Sequence, residues 1–381
     1  MKIMPVVGTR PEAIKLIPVI KELERHPEEF EVVLVTTAQH RKMLDQVLKL
    51  FGITPSHDLE IMENHQTLSR LTARIIDEFD PIVRKEKPNW ILVQGDTTTT
   101  FTSTLIGFYH KIRIGHIEGG LRTHNKYCPF PEEINRRLTT VLTDYHFTPT
   151  ERTKNNLIAE GVPEENIFVT GNTVIDVLFM TLERLKKGKF ELQNPSSRLG
   201  FLNSQLTPNN SKFILVTAHR RENFGKPLES ICLALREIVE ANPEIKVVYP
   251  VHLNPNVQKP VRRILKDNER IHLLNPLDYQ SFVWLMSRSY LILTDSGGIQ
   301  EEAPSLGKPV LVLRQVTERP EAVEAGTARV VGLDKDQIVR EAQRLLNDKA
   351  LYKKMSQAAN PYGDGKAAKR IVEVLRRVEL A

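Results

Sequence analysis

Two rounds of short β-rich runs alternating with segments of helical period predict an α/β protein of two doubly wound parallel-sheet domains facing a cleft. Three observations carry this reading. The alternation runs nearly the whole chain, pauses once, and restarts. Polar clusters follow directly on the apolar runs, where open α/β sheets keep their ligands. The chain has 381 residues, which at roughly 150 per domain is two to three domains.

Taken in order, residues 2–8 read as a strand that meets Gly8. Residues 11–25 keep helical spacing through Ile14 and Ile17 and through Leu16, Ile20 and Leu23. Thr9 stands where it can cap this helix, and Pro11 suits its first turn. A strand is predicted at 31–36, a helix at 40–51 and a longer polar-faced helix at 67–84. Residues 90–94 read as a buried strand ending at Gly95-Asp96, followed by a helix at 98–109. Next come a strand at 112–117, a helix at 131–144, and strands at 146–148 and 167–170. Residues 188–212 have no clear period and hold Pro195, Gly200 and Pro208. Strands then recur at 213–217, 246–249, 271–274, 291–294 and 310–313, each paired with a helix. A last helix at about 365–378 follows the break Asn360-Pro361-Tyr362-Gly363. The two halves share an architecture and no sequence repeat.

Composition narrows the function. Hydrophobic residues at 40% and charged residues at 26% fit a globular chain and argue against disorder or a fibre. Cys128 and Cys232 are the only cysteines, too few for a disulfide framework or a cysteine-based metal cluster, and stray thiols fit a reducing cytosol. No apolar run approaches 18 residues, and the first eight residues read as a strand rather than a leader. The 53 basic and 47 acidic residues leave +6, open to either a polyanion partner or a few phosphate-binding side chains. No G-x-G-x-x-G follows the first strand, and Pro309 after Gly307-Lys308 disqualifies a Walker loop. His116-Ile117-Glu118 starts a deaminase signature that no P-C-x-x-C completes.

Six clusters remain as candidate chemistry. Gly8-Thr9-Arg10-Pro11-Glu12, with Lys15 a turn on, offers cations for a phosphate or carboxylate, or is a plain strand–turn–helix. Asp96, before four threonines, is an acid/base group or a helix cap. His116-Ile117-Glu118-Gly119-Gly120 sets a carboxylate before two glycines, which suits close approach of backbone to a ligand. Glu132 opens Glu132-Glu133-Ile134-Asn135-Arg136-Arg137, where acids also favour the helix dipole. His219-Arg220-Arg221 follows a buried strand, where three cations call for an anion. Ser296-Gly297-Gly298 enters a helix and suits a diphosphate, with Glu302 placed to accept from vicinal hydroxyls and Arg319 adding a cation. A phosphate-binding half beside an acid/base half points to chemistry on a nucleotide-linked sugar.

In this order the stretches GTRPEAIKL, GDTTTTF, HIEGGLRT, PFPEEINRRL, TAHRRENFG, YPVHLNPNV, TDSGGIQEEAPSLGKPVLVLR, TERPEA and NPYGDG resemble the non-hydrolysing UDP-N-acetylglucosamine 2-epimerases of bacteria and archaea, from residue 8 to residue 365. The resemblance implies a GT-B-like pair of Rossmann-type domains: 1–172 with the acid/base carboxylates, 173–364 with the UDP site, and a helix, 365–381, returning to the first. It also implies a cytoplasmic homodimer, no metal and no nicotinamide. The reaction implied interconverts UDP-GlcNAc and UDP-ManNAc for surface polysaccharide supply. UDP is expelled as the C2 proton leaves, a 2-acetamidoglucal forms, and both return with C2 inverted.

By the same resemblance, Asp96, Glu118 and Glu132 are the acid/base candidates, and His219 assists at the diphosphate or as an acid. Arg10, Lys15, Ser296, Gly297, Gly298, Glu302 and Arg319 bind the nucleotide, and Phe282 matches a uracil contact. Leu277 stands where some relatives carry a base-reading glutamine, so a backbone contact takes its place. Gln39 matches an activator motif for a second UDP-GlcNAc, whereas Lys42 and His65 occupy positions that hold Gln and Arg in relatives. The alternatives are a hydrolysing epimerase releasing ManNAc and UDP, a GT-B glycosyltransferase, and a basic polyanion-binding protein.

Overall fold

The computed structural model describes residues 1–37, 41–63, 66–188 and 212–380. Gln39, His65, the side chain of Lys42 and most of the 188–212 segment lie outside the described residues. The chain divides into two compact units, Met1–Val177 with Tyr362–Ala381, and Leu178–Pro361.

The first unit runs β1 (Lys2–Val7), α1 (Arg10–Leu23), β2 (Glu31–Val32), β3 (Val35–Thr36), α2 (Arg41–Leu50), β4 (His57–Asp58), α3 (Leu68–Glu86), β5 (Trp90–Gln94), α4 (Thr98–Tyr109), β6 (Arg113–Ile117), α5 (Glu132–Leu142), β7 (Tyr145–Thr148), α6 (Glu151–Ala159), β8 (Ile167–Val169) and the start of α7 (Thr173–Lys187). Its sheet has the order β4-β3-β1-β5-β6-β7-β8, with β2 also on β1, and its strand pairs are parallel. Strands such as Trp-Ile-Leu-Val-Gln at β5 are buried along their whole length, as a sheet covered on both faces demands. Met4, Val6, Ile91 and Val93 pack there against Leu71, Ile75 and Phe79 of α3.

Three expectations change here. The strand predicted at 31–36 is interrupted at 33–34 yet holds one register on β1, Lys2 opposite Glu31 and Val6 opposite Val35. Thr9 makes no side-chain cap. The carboxylate of Glu12 instead reaches back to the Gly8 N–H at 3.1 Å. The edge strand β4 went unseen because two residues give no alternation to read.

The second unit runs β9 (Lys212–Thr217), α8 (Lys226–Ala241), β10 (Ile245–Pro250), α9 (Pro255–Leu265), β11 (Ile271–Leu274), α10 (Tyr279–Arg288), β12 (Leu291–Thr294), α11 (Gly297–Glu302), β13 (Val310–Val312), α12 (Pro320–Glu324), β14 (Ala328–Val330), α13 (Lys335–Asn347) and α14 (Lys349–Ser356). Its sheet, β11-β10-β9-β12-β13-β14, pairs in parallel throughout. Apolar residues of β9, β10, α8, α9 and α13 form one buried cluster centred on Ile214, Val216, Leu235 and Val247.

The final helix, α15 (Ala367–Leu380), packs on α1 of the first unit. Its first N–H groups, Ala367 and Ala368, donate to the Asp176 carboxylate at 3.2 and 2.9 Å, so α7 supplies the missing cap. Arg376 pairs with Glu29 at 2.6 Å and lies over the Phe30 ring.

Candidate functional site

In the first unit the candidate groups sit at the carboxyl ends of β1, β5 and β6, where the strand order reverses about β1. Gly8 lets the end of β1 approach α4 closely. A Cβ there would fall 2.2 Å from Thr99 Oγ1. Behind this turn, Glu12 is buried and accepts from Thr97 Oγ1 at 2.7 Å and Thr100 Oγ1 at 3.2 Å. Burial raises its carboxyl above the ordinary range, and these donors pull it back down.

Glu118, immediately after β6, is buried and holds φ +65°, a conformation that costs a non-glycine residue. Its carboxylate receives Lys15 Nζ at 2.6 Å on Oε1 and 2.5 Å on Oε2, Asn172 Nδ2 at 3.0 Å, and Gln94 Nε2. The carboxylate lies over Gly95, whose added Cβ would be 3.8 Å from Oε2. Asp96 is the next residue. Helix capping belongs to Thr97, which accepts from the Thr100 N–H at 3.2 Å. Asp96 is paired with Arg136, 2.9 Å to Nε and 2.7 Å to Nη2, and its carbonyl accepts from Asn135 Nδ2 at 3.0 Å. The β5 end is thereby tied to the first turns of α5.

Glu132 and Glu133 part company at that helix start. Glu133 is buried and accepts from the Thr123 and His124 N–H groups, each at 3.0 Å, and from Arg136 at 3.1 Å. Glu132 Oε2 is buried and has no hydrogen-bond partner among the described residues. One acid holds the loop, and the other makes no such bond through Oε2.

Of the two glycines after Glu118, the second is required by the packing of the protein itself. Gly120, at φ +86°, would place a Cβ 2.1 Å from the Thr153 carbonyl. Beneath them His116 Nε2 donates to the Gly95 carbonyl at 2.7 Å, and His146 packs edge-on at 6.3 Å. Burial drives His116 down to about 4 and His146 down to about 3, so both are neutral. Arg10, at the first position of α1, has no carboxylate partner among the described residues. Arg122 is turned to Glu160 at 2.7 Å.

In the second unit the sheet reverses between β9 and β12, and His219 and Asp295 follow those two strands. Asp295 is fully buried. Its Oδ2 accepts from the His219 and Arg220 N–H groups at 2.8 Å each and from Asn223 Nδ2 at 3.0 Å, and its Oδ1 lies 3.6 Å from His219 Nδ1. The His219 ring stacks on His252 at 5.6 Å. Desolvation lowers the His219 pKa, while Asp295 pushes it back up. Past β12, the turn Ser296-Gly297-Gly298 opens α11. A Cβ on Gly297 would lie 3.8 Å from the guanidinium groups of both Arg220 and Arg319. Arg319 is braced by buried Glu301, and Arg220 lies 3.6 Å from Glu318. Two guanidiniums thus stand over the glycine turn, while the Ser296 N–H is held by Thr294 Oγ1 at 2.9 Å. Glu302 ends α11, and Leu277 and Phe282 flank the start of α10.

Asp96, Glu118, Lys15 and the start of α5 are thus gathered in the first unit, and His219, Ser296, Gly297, Gly298 and Arg319 in the second. Sequence reasoning did not single out Arg136, Asn172 and Asp295, which hold Asp96, Glu118 and the His219 turn. A charge directly after the buried run Leu-Ile-Leu-Thr was the available signal for Asp295. Among the described residues, the group with metal-like spacing is half-buried His26 with exposed Glu28 and Glu29, none of them at these strand ends.

The family model for UDP-N-acetylglucosamine 2-epimerase matches residues 21–376. A UDP-N-acetylglucosamine 2-epimerase of Salmonella typhimurium is 54% identical over 376 residues, 99% of this chain and 98% of that protein. The UDP-GlcNAc 2-epimerase of Neisseria meningitidis, solved bound to UDP-GlcNAc, is 50% identical with a TM-score of 0.88, covering 99% of this chain and 100% of that one. The Methanocaldococcus jannaschii UDP-GlcNAc 2-epimerase, solved with UDP-GlcNAc and UDP, is 35% identical with a TM-score of 0.80, at 99% and 100% coverage. The two parallel-sheet α/β units are of the GT-B-like class that these structures share. By sequence and by fold, the chain belongs to the UDP-N-acetylglucosamine 2-epimerase family.

Proposed function

We propose that the chain is a non-hydrolysing epimerase that interconverts UDP-GlcNAc and UDP-ManNAc at C2. The observation that carries the reading is the pair of carboxylates Asp96 and Glu118 at the ends of β5 and β6, each matched to its own cation. A hydrogen at C2 has no adjacent carbonyl, so its removal needs the C1 bond to break with it. One carboxylate takes the C2 proton while the C1–O electron pair leaves with UDP, giving the 2-acetamidoglucal. Protonation of C2 from the other face and return of UDP to C1 complete the inversion. Asp96, Glu118 and Glu132 are the proton carriers in this reading.

In the second unit Ser296, Gly297, Gly298, Arg220 and Arg319 hold the diphosphate and stabilise the leaving group. His219, steadied by Asp295, assists there. Glu302 accepts from the ribose, Phe282 meets the uracil, and the Leu277 backbone replaces a base-reading side chain. By family resemblance Arg10 and Lys15 also bind the nucleotide. Incubation with UDP-GlcNAc in deuterium oxide tests the whole reading. UDP-ManNAc carrying deuterium at C2 is expected. Free ManNAc as the main product would indicate the hydrolysing reaction, and turnover only with an acceptor would indicate a glycosyltransferase.

The protein works in the cytosol as a homodimer in this reading. Exposed Phe108 and Tyr109 on α4, with Leu138 and Val141 on the adjoining α5, offer an apolar face for a second copy. Light scattering of the purified protein tests that. Activation by a second UDP-GlcNAc at Gln39, Lys42 and His65 predicts a lag or sigmoid in UDP-ManNAc titrations that added UDP-GlcNAc removes. A hyperbolic curve argues against it.

A further inference from the structure

Tyr279 opens α10, and its phenol donates to Glu302 Oε2 at 3.0 Å. Asp278 fixes that residue's place in the helix. Its two carboxylate oxygens accept from the Ser281 N–H at 2.9 Å and the Ser281 hydroxyl at 2.8 Å, which sets the first turn. Burial, reinforced by the charge of Glu302, holds the phenol's pKa well above 10, so the hydroxyl keeps its proton and donates. Glu302 is itself only 8% exposed. Its other oxygen, Oε1, lies beside the glycine turn, 3.7 Å from where a Cβ on Gly298 would stand. One oxygen is therefore engaged by Tyr279, and the other faces the glycine turn. Phe282 lies one turn along the same helix, so a single stretch of α10 spaces the base contact from the group that orients Glu302.

We propose that Tyr279 is a positioning residue that orients Glu302 toward the ribose hydroxyls and so gives the nucleotide site its selectivity for ribose over 2′-deoxyribose. The proposal rests on the reading of this unit as a UDP site with Glu302 at the ribose. A carboxylate free to turn can follow whichever hydroxyl remains, whereas one held at one oxygen is left short of a donor when the 2′-hydroxyl is missing.

Calorimetric titration of the full chain with UDP and with 2′-deoxy-UDP tests it, comparing wild type, Tyr279→Phe and Glu302→Gln. The wild type is expected to prefer UDP by about 30-fold or more. Tyr279→Phe should lose roughly 10-fold in UDP affinity and change by less than about twofold toward 2′-deoxy-UDP, so that the preference collapses as it does in Glu302→Gln. Retained binding of 2′-deoxy-UDP also reports that the variant is folded. A variant that keeps the wild-type preference overturns the proposal, as does equal loss of both ligands, which marks a packing role. Wild type that binds UDP without preferring ribose overturns it and leaves the UDP reading standing. Wild type that binds no UDP overturns both.

Discussion

Lys15 Nζ grips both oxygens of the Glu118 carboxylate, at 2.6 and 2.5 Å, tying α1 to the end of β6 across 103 positions of sequence. Both side chains are largely buried, 18% and 4% exposed, so each charge depends on the other. Lys15→Met leaves the carboxylate without its cation and is expected to cost about 3 kcal/mol in denaturant melts, along with turnover. Glu118→Gln should keep UDP affinity in calorimetry and lose at least about 1000-fold in rate. Near-normal turnover would remove Glu118 from the chemistry.

Asp96 and Arg136 make a second pair. Asp96→Asn is expected to abolish both epimerisation and the exchange of solvent deuterium into C2, with UDP binding largely intact. Arg136→Met should lower kcat more than it raises KM, since its guanidinium meets Asp96 and Glu133 at the β5 end. Steady-state kinetics with both variants checks the split.

Neighbouring acids on α5 should behave in opposite ways. Glu133→Gln loses charge-assisted bonds to two backbone N–H groups and to Arg136, and is expected to lower stability by about 2 kcal/mol. Glu132→Gln should leave the melting curve unchanged and suppress turnover. A reversed pattern would exchange their roles.

Acid sensitivity follows from the buried imidazoles. An unfolded histidine takes its proton at about 6.5, whereas folded His116 does so only at about 4 and His146 at about 3. Between those values the unfolded chain binds more protons, so this contribution is complete above about pH 6.5 and is lost as pH falls. At about 1.4 kcal/mol per pH unit, the gap for His116 amounts to about 3 kcal/mol at pH 4. His146→Phe removes one titrating group whose Nδ1 has no hydrogen-bond partner among the described residues. Urea melts at pH 7 and pH 4.5 should therefore differ less in this variant than in wild type.

Asp176 caps α15 from another helix and has its pKa raised to about 6 by burial, despite its backbone donors. A raised carboxyl stabilises most below its unfolded value near 4, and that contribution fades as pH climbs through 6. Asp176→Ala is expected to cost about 1 kcal/mol and to speed amide exchange across residues 367–380. Unchanged exchange there would place the anchor of α15 elsewhere, at Arg376 and Glu29.

Much of this molecule is readable from local rules. The strand at 90–94, the helix at 98–109 and the strands at 271–274 and 291–294 agree with β5, α4, β11 and β12 to the residue, because short apolar runs bounded by turn residues and a threonine cap are local signals. The edge strands β4 and β14 are two and three residues long and have no period to print. Asp96 could be named as acid or cap; the fold gives the cap to Thr97 and pairs Asp96 with Arg136, forty positions away.

By itself, then, the sequence determined two rounds of alternating strand and helix and the polar clusters at strand ends, since periodicity, turn residues and chain order are local properties. Tertiary structure alone decided which of those groups are engaged and which stay available. It gave Lys15 to Glu118, Arg136 to Asp96 and Glu133 to a loop, and it left Glu132 Oε2 without a hydrogen-bond partner among the described residues. Hydrogen bonds and ion pairs of this kind form between residues that only folding brings within about 3 Å, and no spacing along the chain encodes them.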